Sequence, residues 1–186
     1  MNIMVVGVGG QGPLLTSRII GKTALSQGYD VKLSEVHGMA QRGGSVVTFV
    51  RFGERVYEPV VEEGEVDVLI SFERLEALRY AHFLKKDGII IVNDCRIDPM
   101  TVVIGAKTYP EGILEELAAS HKIYSIDGGA IARELGNSKV LNSVVLGLAA
   151  KHIGFAESDW LEVLRATVPP KTVEINEKAF SRGYEG

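Results

Sequence analysis

Cysteine is nearly missing from this chain: Cys95 is the only one in 186 residues. A single thiol closes no intramolecular disulfide, which fits a reducing compartment. Iron–sulfur clusters normally take four cysteine ligands, so any electron transfer through clusters is expected on another polypeptide. An excess of positive charge is also absent. Lys and Arg number 20 against 24 Asp and Glu, a formal net charge of −4, which leaves no basic field to gather nucleic acid or an anionic membrane. No apolar run approaches the length of a membrane span. The opening Asn2-Ile3-Met4-Val5-Val6 reads as a strand rather than a secretory leader, and the expectation is a cytoplasmic protein. His37, His82, His121 and His152 are scattered without metal-site spacing, so no metal site is expected.

What is present is ordinary globular composition, 46% hydrophobic and 24% charged, enough for one α/β domain and too little for two. Residues 3–6 read as a buried strand, and 7–12 as a glycine-rich turn. Pro13 then suits the first turn of a helix that runs to about Leu25. Strands are expected at 29–36, 45–52, 67–71, 88–92 and 122–126. Residues 45–61 read as a hairpin turning at Gly53-Glu54. Helices are expected at 73–84, 110–120, 130–135, 139–152, from 158 or 159 onward, and 171–182. Ser138 is expected to cap the long apolar one. This alternation predicts an α/β, Rossmann-like, mostly parallel sheet with helices on both faces plus one β-hairpin, forming a single domain over 1–186.

Gly7, Gly9 and Gly12 have the G-x-G-x-x-G spacing between a strand and a helix. In such a loop the first glycine allows a tight turn, the second lets an anion reach the backbone, and the third packs helix on strand. The amides at the helix start favour a phosphate or carboxylate. Glu35 stands about 20 residues on, where a ribose-binding acid is expected in a dinucleotide site. The bland reading is a close strand-to-helix turn and nothing more. Gln11, beside Gly10, is unusual for a nicotinamide site, and its amide is expected to point toward a ligand or partner.

The stretch His37-Gly38-Met39-Ala40-Gln41-Arg42-Gly43-Gly44-Ser45 carries one fixed cation in a glycine-rich loop. Arg42 offers a planar fork for phosphate or carboxylate, and the glycines beside it allow close approach. Its bland reading is a solvated surface loop. Taken with Val5-Val6-Gly7-Val8-Gly9-Gly10-Gln11-Gly12, this stretch resembles the gamma-type domain of 2-oxoacid:ferredoxin oxidoreductases. The Met-Ala-Gln-Arg-Gly-Gly form is most similar to the beta subunit of the indolepyruvate enzymes. The resemblance continues through Leu141-Asn142-Ser143-Val144-Val145-Leu146-Gly147 and the region after Pro169.

That resemblance implies a subunit of an enzyme that converts a 2-oxoacid and coenzyme A to acyl-CoA and carbon dioxide, passing two electrons to ferredoxin. It places thiamine diphosphate and iron–sulfur clusters on a large catalytic partner. This chain itself lacks a Gly-Asp-Gly…Asn thiamine-diphosphate signature. No catalytic residue is assigned here, and the chain is expected to be inactive alone. The binding expectation is that Gly7, Gly9, Gly10, Gln11 and Gly12 meet Gln41, Arg42, Gly43 and Gly44 at the carboxyl ends of the first strands. That polar pocket would hold coenzyme A, dock the large subunit, or both. The alternatives are a gamma subunit of a pyruvate or 2-oxoglutarate enzyme, a free-standing dinucleotide-binding oxidoreductase, and a regulatory nucleotide-binding module. Cys95, at a strand end, reads as an inert thiol.

Overall fold

A computed structural model describes residues 1–37 and 43–186, and the side chain of His37 is not among what it describes. Six strands form one sheet in the order β2-β3-β1-β4-β5-β6. They are β1 (Asn2–Val8), β2 (Asp30–His37), β3 (Ser45–Gly53), β4 (Val66–Ser71), β5 (Leu84–Asn93) and β6 (Lys122–Ile126). β1, β4, β5 and β6 run parallel to one another, whereas β3 is antiparallel to both β1 and β2. The mostly parallel α/β architecture expected above is therefore the one observed.

The hairpin differs from expectation. β3 pairs along its whole length with β2, from Asp30↔Gly53 to His37↔Val46, and with β1 on its other edge. Both edges of β3 are thus filled, and residues 55–61 have no ladder left to join. That segment forms no strand; Pro59 lies within it, and Tyr57 and Val60 are exposed while Val61 alone is fully buried.

Period-two alternation along the strands sorts two cores onto the two faces. Ile3 and Val5 of β1, Val68 and Ile70 of β4, and Ile91 of β5 face a core closed by α1 (Pro13–Ser26), α6 (Leu141–Ile153), α7 (Glu157–Thr167) and α8 (Val173–Glu185). Met4, Val6, Leu69, Ile90 and Val92 face the other, under α2 (Arg74–Tyr80) and α4 (Ile113–Ala118). α3 (Met100–Val103) and α5 (Gly128–Glu134) complete the helices among the described residues. The long apolar helix begins at Leu141 after a 3₁₀ turn, Ser138–Val140, and the side chain of Asn137, not Ser138, accepts the capping hydrogen bond from Lys139 N. Among the described residues no helix is long and apolar enough to cross a membrane.

Candidate functional site

The carboxyl ends of β1, β4 and β5 converge, and the glycine loop lies over that convergence. Gly7 is still within β1, so it is not the turn residue. Its hydrogen takes the place of a Cβ that would stand 2.9 Å from Phe72 Cβ, so Gly7 lets the end of β4 close against β1. The turn itself is made with positive φ at Gly10 and Gly12, 106° and 89°. A Cβ on Gly12 would meet Asn142 of α6 at 3.2 to 3.4 Å, so this glycine seats the loop against α6 rather than α1 against β1.

Gln11 turns inward, contrary to the sequence expectation. Its Oε1 accepts from Val8 N at 2.8 Å, and its Nε2 donates to Phe72 O at 2.9 Å and to Cys95 Sγ at 3.7 Å. One side chain thereby ties the loop to the ends of β1, β4 and β5.

The two glycine segments meet. Gly9 N donates to Gly44 O at 2.9 Å and Gly43 N donates to Gly9 O at 3.5 Å. Gln41 and Arg42 lie outside the described residues. A cavity of about 300 Å³ opens on one side of the joined segments, lined by Gly10, Gln11, Gly12, Lys139 and Asn142. Asn142 is only 7% exposed and its Oδ1 has no hydrogen-bond partner, which is the state of a buried amide that a bound polar group would satisfy. Among the described residues, the amides of Gly10 and Gly12 donate to no protein acceptor. Loop amides and a lysine make a surface suited to an anion such as a phosphate, and the unpaired Asn142 Oδ1 beside them would accept from an N–H or O–H of the same ligand.

On the other side is a cavity of about 230 Å³ whose walls include Val8, Gly43, Ser45, Glu73, Glu76 and Arg79. Glu73 caps α2 by accepting from Glu76 N at 3.0 Å, and it also takes Ile97 N at 3.2 Å and the hydroxyl of Tyr109. Burial, and then the contact with Glu73, raise the Tyr109 pKa well above its ordinary 10. Cys95 is half-buried, and burial, then the charge of Glu73, push its thiol pKa up, so little nucleophilic thiolate forms at neutral pH.

Lys139, Asn142 and Glu76 were not picked out as site residues by sequence. Asn142 carried a signal: a lone amide at the start of an otherwise apolar helix. Glu35 moves the other way. It is paired with Thr48, which is paired with Val5, so β3 separates it from β1 by one extra strand spacing, about 4.8 Å. An acid in β2 of a dinucleotide fold stands beside β1, and here it does not. Among the described residues no three His, Cys, Asp or Glu side chains gather as metal ligands.

Comparison with known proteins is consistent along the whole chain. The family described as pyruvate ferredoxin/flavodoxin oxidoreductase matches residues 2–186. The chain is 44% identical over 191 residues to indolepyruvate oxidoreductase subunit IorB of Thermococcus kodakarensis, covering 99% of this chain and 94% of that protein. It is 28% identical to the common gamma subunit of the pyruvate/ketoisovalerate oxidoreductases of Pyrococcus abyssi, over 96% of this chain and 92% of the relative. The crystal structure of pyruvate oxidoreductase subunit PORC from Thermotoga maritima shares the fold, with a TM-score of 0.75 at 23% identity, over 100% and 95% of the two chains.

Proposed function

The chain belongs to the pyruvate ferredoxin/flavodoxin oxidoreductase family, as a small subunit of a 2-oxoacid oxidoreductase, and we propose that the enzyme it completes acts on indolepyruvate or a related aryl pyruvate. The observation that carries this reading is the identity to the indolepyruvate subunit, far above that to the pyruvate/ketoisovalerate subunit. The Met39-Ala40-Gln41-Arg42-Gly43-Gly44 stretch supports the same choice.

In this reading the complex decarboxylates the 2-oxoacid in the presence of coenzyme A, giving acyl-CoA, carbon dioxide and two electrons for ferredoxin. The donor set of this chain does not fit an iron–sulfur cluster, since Cys95 is its single cysteine. Thiamine diphosphate, which supplies carbanion stabilisation, and the clusters belong to the large partner. The work left to this chain is binding and orientation. The phosphates of coenzyme A suit the Gly10–Gly12 turn, Lys139 and Arg42, and a hydroxyl or amino group of the same molecule suits the acceptor Oδ1 of Asn142. The thiol end must reach a centre this chain does not contain, so the same rim faces the large subunit.

The first test uses this chain as bait in a native anaerobic extract. Recovery of a large thiamine-diphosphate and iron–sulfur partner, active on indolepyruvate with coenzyme A, is the expected result. A dinucleotide bound to the lone chain, with no such partner, would sink the proposal in favour of a free-standing enzyme. In the assembled enzyme Arg42→Ala is expected to raise KM for coenzyme A about tenfold, the loss of one charge-assisted contact. An unchanged KM with normal assembly would remove coenzyme A from this cleft.

A further inference from the structure

Glu76 is a buried carboxylate, 5% exposed, on the face of α2 that looks toward the glycine segments. Both of its oxygens are engaged. Arg79 Nε donates to Oε1 at 3.1 Å, and the hydroxyl of Ser45 donates to Oε2. Ser45 Oγ is also 3.1 Å from the hydroxyl of Tyr80. Taking a carboxylate out of water is costly unless its partners repay the lost hydration, and Arg79, half in solvent, offsets only part of that.

The helix does not need Glu76 to stay in place. It is capped by Glu73 and seated by buried Ala77. What the carboxylate adds is a link between α2 and Ser45. Ser45 follows the Gly43-Gly44 pair directly and stands opposite Val8, the residue before Gly9. The backbone bonds between Gly9 and Gly43-Gly44 lie one residue from this link.

We propose that Glu76 is a positioning residue for the coenzyme A cleft, fixing Ser45 and through it the Gly43-Gly44 turn against Gly9, so that the two glycine segments form one preformed rim. This rests on the coenzyme A reading of the cleft given above. Neither Glu76 nor Ser45 touches the ligand. Their effect is to spare the ligand the cost of ordering the rim.

The test uses the complex assembled with its large subunit, carrying Glu76→Gln, Ser45→Ala, the pair together, or Ser45→Thr. KM for coenzyme A is expected to rise about tenfold in each single variant, and no further in the pair, because both act through one link. KM for the 2-oxoacid and kcat should stay within about twofold of the parent enzyme. Ser45→Thr keeps the hydroxyl and should restore the parent KM for coenzyme A. An unchanged KM for coenzyme A in an assembled Glu76→Gln or Ser45→Ala enzyme overturns the inference. So does a uniform loss of assembly, kcat and both KM values in Ser45→Ala. If Arg42→Ala raises that KM while Glu76→Gln does not, the inference alone falls. If neither raises it, the coenzyme A reading falls and takes the inference with it.

Discussion

His152, in the last turn of α6, has its ring stacked on Tyr124, centroids 3.8 Å apart, and its Nε2 is buried without a hydrogen-bond partner among the described residues. Burial, and after it the charges of Lys151 and Lys122, hold its pKa below the ordinary 6.5. The folded chain therefore binds this proton less readily than the unfolded chain. Its contribution to stability is complete above the unfolded pKa and shrinks as pH falls through 6.5 toward the lower folded value. Urea midpoints measured from about pH 7 to pH 5 should fall, and His152→Phe, which keeps a ring on Tyr124, should flatten that slope. An equal slope in the variant would place the acid sensitivity elsewhere. Gln11 shows what one residue's neighbours conceal from sequence. Its partners Phe72 and Cys95 lie 61 and 84 residues away, so local pattern had no means of showing that the amide turns inward.

Between elements, α6 and α8 approach each other closely at two glycines. A Cβ on Gly147 would stand 2.0 Å from Phe180 O, and one on Gly183 would stand 1.9 Å from Val144 O. The helices touch backbone to backbone at these glycines, and beside them Ser143 donates to Asn176 Oδ1 at 2.6 Å. Gly183→Ala must push the helices apart, and we expect a loss of about 3 kcal/mol in urea unfolding, at the upper end for overpacking. A loss below about 0.5 kcal/mol, the size of an ordinary surface change, would mean that the helix pair yields freely. The apolar character of α6 made its burial legible in the sequence. The crossing did not, because nothing in either helix alone says which glycine meets which carbonyl. The misplaced hairpin has the same cause. β3 is strongly β-forming and its neighbours on both sides are turn-bounded, so the choice of β2 rather than residues 55–61 as partner was made by competition for its edges.

At the scale of the whole molecule, one sheet is shared by the cores on its two faces. Neither core can be lost without exposing the apolar side of strands that the other still uses, and unfolding is expected to be a single transition. Trp160, a fully buried residue of α7, reports one face; a fluorine label placed at Tyr109, buried on the opposite face, reports the other. Coincident midpoints from the two probes are expected, and separated midpoints would divide the chain into more than the single domain proposed for residues 1–186.

The sequence by itself determined the class of fold, the order of nearly all the elements and the family, because strand and helix periods and the two glycine motifs are local patterns. It also showed that a single cysteine cannot hold a conventional cluster. Only the tertiary structure decided how the motifs work together: that Gly7 serves close packing rather than a turn, that Gly9 bonds to Gly44, and that Asn142 and Lys139 complete the cleft beside the loop. It also placed β3 between Glu35 and β1. These are contacts between segments distant in the chain, set by strand order and helix crossing, and such contacts have no local signature.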